Sequence, residues 1–412
     1  MENRKAFNKT FWLLISVGLA VRLVAMAGTY FGDLFAIHWA PNLWVEQGIF
    51  TIYSRATAEN PDAAWVYYPP LMFFTTSAWQ WVMEKLGFDV LNILTLLRDG
   101  NIGRVPLLSI AALKMPYLVA EILFSIVAVK NLKPNQLKYF LYFWVLNPVI
   151  IYYIYTIGQY DILPALCVLM AVKEFRDGKN NSMAFWIGMA AAFKIFPVVF
   201  AALLILNRGR TAKEFARLCL IASIPIIFSV APLLMAGDFA ALKSFFVYPG
   251  FSGGGKLHNP ENLIKYAVFL GLFAYFAFQA LKNPDVGEKV LINCQGLFFA
   301  FLLLITFNGN YTLWVMPFFL MSETGQKRLV IYYALYFGFL FLSAMTFYAI
   351  PTARTLTPLI PQAADWPGIA DLCDQWGIRP VHKTFKLLVK LTCLAIAVAT
   401  LRMVKKNENN VI

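Results

Sequence analysis

Two carboxylates in this chain stand where an apolar run ends, the position from which a side chain can take a proton at a membrane surface. Asp33 follows directly on the run from Phe11 to Phe31, and Asp161 closes the stretch from Trp144-Val145-Leu146-Asn147-Pro148 to Gly158-Gln159-Tyr160-Asp161. A carboxylate so placed can act as general base on a hydroxyl. Asp161 has a second reading, in which it caps residues 162–174 through their free N–H groups. Lys194 lies between Ala190-Ala191-Ala192-Phe193 and Ile195-Phe196-Pro197. A cation inside such an apolar run meets an anionic headgroup or neutralises a carboxylate such as Asp161. Arg22, Lys114 and Glu121 are the other charges within apolar segments. Lys114 and Glu121, seven residues apart on one helix face, read as a structural contact between helices.

Composition fixes the elements that must position these groups. The 412 residues are 60% hydrophobic and 14% charged, with a mean hydropathy of +0.63, a balance that belongs to an all-α polytopic membrane protein. The net charge of +13 is spread over short basic loops instead of one patch, which excludes a nucleic-acid partner and matches positive-inside topology. Arg4, Lys5 and Lys9 precede an apolar stretch with no small-residue cleavage pattern after it, so the first helix is expected to be retained, with a cytoplasmic N-terminus. Cys167, Cys219, Cys294 and Cys393 lie in apolar runs and leave Cys373 alone, which implies no disulfide framework. His38, His258 and His382 are too scattered for a zinc site, and the chain has no Walker loop, GxGxxG or HExxH. His38 and His258, both expected outside, could each contact a phosphate.

Crossings are expected at residues 11–30, 106–129, 138–156, 162–174, 215–235, 263–281, 290–307, 311–322, 329–350 and 385–403. Residues 184–206 have basic flanks on both sides, so they should enter and return as two short helices with a turn near Lys194-Ile195-Phe196-Pro197, making about 12 membrane helices. Residues 69–86 read as an interfacial helix, because a crossing there would put Lys130, Lys133 and Lys138 outside. Residues 31–104 then form one outer loop with seven acids and four bases. Its aromatic residues, Trp39, Trp44, Trp65, Trp79, Trp81 and Tyr68 among them, suit a headgroup surface or carbohydrate stacking. Further outer loops are 236–262, with Gly253-Gly254-Gly255-Lys256-Leu257-His258, and 351–384. The expected units are a catalytic module over 1–235 and a variable membrane module over 236–412. Both termini should be cytoplasmic.

Asp33 with Phe35 and Trp39, Gly48-Ile49-Phe50, Tyr53, Tyr68-Pro69-Pro70-Leu71, Lys114-Met115-Pro116, Asn147-Pro148, Gly158-Gln159-Tyr160-Asp161 and Phe193-Lys194-Ile195-Phe196-Pro197 follow one another along the chain. This ordered pattern resembles the integral-membrane glycosyltransferases of the GT-C fold. It is most similar to bacterial mannosyltransferase-like proteins related to the GPI-anchor enzymes and to the endoplasmic-reticulum glucosyltransferases. The resemblance covers residues 31 to about 206, with fainter likeness at Asn259–Asn262 and Tyr311–Pro317.

The resemblance implies an inverting transferase that moves a hexose, mannose favoured, from a polyprenyl-phosphate donor to a glycan, glycolipid or protein acceptor. The chemistry would take place on the outer face of a bacterial inner membrane. Asp33 matches the family's acid in the first outer loop and is expected as general base, with Asp161 as supporting carboxylate. Lys194, Lys256, His258 and Arg104 are the candidate phosphate-binding groups, with Gln159, Trp39 and Tyr68 as further binding residues. Asp33 is followed by Leu34-Phe35 where some relatives carry Asp-x-Asp, so no metal or other cofactor is expected. Two other readings are kept: a transporter or flippase of lipid-linked sugar, and a structural subunit of an envelope-polymer assembly.

Overall fold

The computed structural model describes residues 9–47, 53, 68–239, 260–282, 287–304, 309–346, 352–367, 372, 375–376 and 381–408. Helices, with short 3-10 and π-turns, make up the regular structure of these residues, and no strand occurs among them. In chain order the helices are α1 (Lys9–Gly28), α2 (Gly32–Gln47), α3 (Pro70–Lys85), α4 (Val90–Arg98), α5 (Leu107–Asn131), α6 (Pro134–Phe140), α7 (Pro148–Ile151), α8 (Ile162–Arg176), α9 (Asn180–Phe193), α10 (Val198–Arg208), α11 (Ala212–Met235), α12 (Pro260–Lys282), α13 (Gly287–Leu304), α14 (Thr312–Met321), α15 (Glu323–Met345) and α16 (Val381–Glu408).

Among the described residues six helices are long and apolar enough to cross a membrane: Lys9–Gly28, Leu107–Asn131, Ala212–Met235, Glu261–Lys282, Gly287–Leu304 and Lys383–Met403. A seventh crossing is made if Pro134–Val145 and Pro148–Thr156, bent by 46°, count as one. This is a helical membrane protein. Each expected crossing has a helix at its place, but α8, α9, α10 and α14, with 15, 14, 11 and 10 residues, are too short to cross ~30 Å of hydrocarbon alone.

The bend comes from the sequence. Pro148 has no N–H to continue a helix, and Asn147 closes the gap by accepting from Val149 N at 3.0 Å and donating to Phe143 O at 3.1 Å. The turns on either side, Leu141–Val145 and Tyr152–Thr156, are π-turns. Arg22 of α1 reaches into the break and donates to Val145 O at 2.6 Å and Trp144 O at 3.1 Å, while Glu121 of α5 holds it at 2.7 and 2.8 Å. Glu121 also accepts from Tyr155 Oη at 2.6 Å. The contact expected from Glu121 is therefore an ion pair with Arg22; Lys114 instead donates to Thr29 O at the end of α1.

Contacts at the helix ends show which termini lie together. At one end Tyr30 N donates to Thr355 O at 2.8 Å, and Trp79 Nε1 of α3 to Ala112 O near the start of α5 at 2.8 Å. At the other, Gln136 Nε2 meets Leu320 O at 3.3 Å, and Asn207 Nδ2 meets Ala280 O at 3.0 Å. Here Arg208, closing α10, donates to Phe175 O at 2.7 Å in the last turn of α8, just before α9 begins. The end of α10 thus returns to the level where α9 started. Residues 180–208 form a helical hairpin, and its break at Lys194–Pro197 falls at the Asp33 end. Gly188 is what lets α9 lie against α11, since a Cβ there would sit 2.0 Å from Ala222 O.

Candidate active site

Four breaks in helical structure converge at one end of the molecule: the α1–α2 junction, the turn before α8, the α9–α10 break and the turn before α14. Gly158 sets the second of these. Its φ of +78° is the left-handed conformation, and a Cβ there would come 3.0 Å from Leu34 Cβ on α2. That close approach brings Gln159 onto Asp33, whose Oδ2 accepts from Gln159 Nε2. Gly309 acts similarly before α14, because a Cβ would meet Tyr153 Oη at 2.1 Å, and it delivers Asn310 to Asp161.

Asp161 and Lys194 are fully buried and paired, with Nζ 2.9 and 3.0 Å from the two carboxylate oxygens. Asn310 Nδ2 adds a third donor to Asp161 at 2.7 Å. The capping alternative for Asp161 is corrected: it stands at the start of α8, but its side chain makes no bond to the free N–H groups there. A buried carboxylate is retained only where its charge is met, and Lys194 meets it more strongly than peptide N–H groups would. Aromatic faces complete the surround of Lys194, with ring centres at 4.9 Å for Tyr160 and Tyr311, 5.2 Å for Trp314 and 5.8 Å for Tyr68. Tyr68 is held by Tyr53, whose hydroxyl donates to Tyr68 O and whose N–H donates to Asp238 at 2.7 Å.

Asp33 is half-buried, between solvent and the paired Asp161 and Lys194. Burial pushes its carboxyl above the usual carboxylate range; Gln159 and Lys194 pull it back, and Asp161 pushes it up again. Asp33, Gln159, Asp161 and Lys194 therefore form one electrostatic unit. Around it four buried polar atoms make no hydrogen bond among the described residues: Gln159 Oε1, Asn310 Oδ1, Trp314 Nε1 and Tyr117 Oη.

Other expected site residues fall elsewhere. Trp39 lies against Phe35 at 5.3 Å and under Arg98 at 5.2 Å, and Arg104 is exposed on the turn Ile102–Arg104. Lys256 and His258 lie outside the described residues. His38 is not a phosphate contact, for it is buried against Gln80, and burial pushes its imidazole down to about 3. Asn310 was not expected here, and Tyr311 and Trp314 entered only through the fainter likeness at Tyr311–Pro317, with no site role. Their signal is slight: a Gly-Asn-Tyr triplet opening an apolar helix. A groove of about 360 Å³ between α1 and α5 is lined by apolar side chains with Ser125, Arg22 and Glu121, of which Arg22 and Glu121 satisfy each other.

The chain matches no protein-family model, no curated protein and no solved structure.

Proposed function

We propose that this protein is an inverting hexosyltransferase of the GT-C type, with about 12 membrane helices counting the re-entrant pair α9–α10, and with Asp33 as its general base. The observation that carries the reading is the half-buried Asp33 carboxylate, held by Gln159 and backed by a buried Asp161–Lys194 pair that is neutral overall. Burial raises the proton affinity of Asp33, which suits a base that must remove a hydroxyl proton near neutral pH.

In the reaction the acceptor hydroxyl oxygen forms a bond to the anomeric carbon while the bond from that carbon to the donor phosphate oxygen breaks. The hydroxyl proton passes to Asp33, and the lipid phosphate leaves with the electron pair. A phosphate needs no proton to leave, so a single carboxylate suffices where a hydrolase uses two. No metal is invoked, since Leu34-Phe35 follows Asp33 where a second acid would stand. The donor is a polyprenyl-phosphate hexose, mannose favoured, and the acceptor a glycan, glycolipid or protein. Lys256 and His258 are candidates for the donor phosphate.

Sidedness follows from charge. Lys130, Lys133, Lys173, Arg176, Lys179, Arg208 and Lys213 sit at the turns opposite the Asp33 end, which supports an extracytoplasmic site in a bacterial inner membrane with cytoplasmic termini.

The test is incubation of purified, reconstituted protein with a panel of radiolabelled polyprenyl-phosphate hexoses and a membrane extract. A labelled product of inverted anomeric configuration is expected. Movement of labelled lipid across the bilayer with no sugar transferred would replace this reading with a flippase.

A further inference from the structure

We propose that Gln159 and Asn310 form an acceptor pair that reads two hydroxyl groups of a neutral sugar ring, and that Lys194 serves this pair as a positioning residue instead of binding phosphate. The inference rests on the transferase reading for its choice of ligand; the geometry is independent of it.

Each amide is oriented by a carboxylate. Asp33 takes the Nε2 of Gln159, and Asp161 takes the Nδ2 of Asn310 at 2.7 Å. An ionised carboxylate only accepts, so turning either amide over would set oxygen against oxygen. Both carbonyl oxygens are therefore fixed as acceptors, and both are buried, with no donor among the described residues. Gln159 is 4% exposed and Asn310 2%. Buried acceptors of this kind are normally satisfied, and two of them flanking two carboxylates mark a place built for a ligand that brings donors.

The choice of donor follows from charge. A phosphodiester or an ionised carboxylate would present only oxygen lone pairs to these oxygens and to Asp33, and is excluded. A further cation would stand close to Lys194. Hydroxyl groups donate without carrying charge, and they also accept, which suits the unpaired Trp314 Nε1 and Tyr117 Oη nearby. Lys194 has its charge met by both oxygens of Asp161. Its part is to hold Asp161 where it orients Asn310, so the donor phosphate must bind elsewhere.

The test measures binding, not transfer. Protein in phosphatidylethanolamine–phosphatidylglycerol nanodiscs is titrated with decyl mannoside and decyl glucoside, and the tighter of the two is compared with its four monodeoxyfluoro analogues. Fluorine keeps the size of a hydroxyl and removes its donor. In the wild type two analogues should bind about fivefold or more weakly than the parent. Gln159→Met should lose sensitivity to one of them and Asn310→Leu to the other. The first arm needs no variant, so a variant that fails to fold leaves the proposal exposed. Four analogues binding as the parent does, no saturable binding of either glycoside, or displacement by decyl phosphate or Mg²⁺ that vanishes in both variants would each overturn it. A protein that shows the two losses yet transfers nothing keeps this inference and loses the transferase reading; one that transfers sugar and ignores donor loss does the reverse.

Discussion

Lys194 holds both oxygens of Asp161, at 2.9 and 3.0 Å, with both side chains buried. The two residues come from separate breaks, one opening α8 and one dividing α9 from α10, so their pairing ties the α9–α10 hairpin to the rest of the helices. Removing one partner leaves the other charge buried and unmet, a loss of about 3–5 kcal/mol. Lys194→Met and Asp161→Asn should each lower thermal stability sharply, and the double variant should recover most of it. Melting of the four proteins in one detergent checks this; a double variant as unstable as the sum of the singles would show that the pair is not coupled.

Asp33 should report the same unit through pH. Burial, the largest influence, raises its pKa, while Gln159 and Lys194 lower it and Asp161 raises it. The base works deprotonated, so activity is lost as pH falls through this raised value. Gln159→Met removes a lowering influence and should move the acid limb of kcat/KM to higher pH, a shift that a merely structural residue would not produce. An unmoved limb in a folded variant would separate Gln159 from Asp33.

The raised value also carries a stability cost. Unfolded Asp33 has the lower pKa, so its contribution is favourable only below the ordinary carboxylate range and is lost as pH rises through the folded value. At neutral pH Asp33→Asn should therefore melt at or above the wild-type temperature. A clearly lower melting temperature would indicate a structural role for the acid.

Gly158 offers a change that adds only a methyl group. At a φ of +78° an alanine costs about 1–2 kcal/mol, and its Cβ would press on Leu34 at 3.0 Å. Gly158→Ala should reduce transfer by displacing Gln159, with a smaller effect on melting than Lys194→Met. Full activity would mean that the turn tolerates the displacement.

Much of this site was legible in sequence because its signals are local. An acid after an apolar run, a lysine inside one, and Pro197 breaking a segment with basic flanks place Asp33, Asp161, Lys194 and their common end. The partners across the chain carry no such signal. Asn310 lies 149 residues from Asp161, and only the packing of α14 beside α8 brings them together. Residue type also misled. Trp39, six residues beyond Asp33 on α2, points about 120° away from it around the helix, so an aromatic side chain close in sequence faces Arg98 instead of the cluster. Residues 138–156 read as one crossing, yet Asn147-Pro148 bends them by 46°, because hydropathy does not register a missing N–H.

Asp33 as the base that accepts the acceptor's proton is the central claim, and transfer by Asp33→Asn measures it most directly. Wild type and variant, matched for folding by melting and gel filtration, are supplied with the polyprenyl-phosphate hexose and acceptor found for the wild type. The account predicts donor binding within a few-fold of wild type and transfer lowered by about 10²–10⁴-fold. Transfer within a few-fold of wild type from a well-folded Asp33→Asn protein would contradict it.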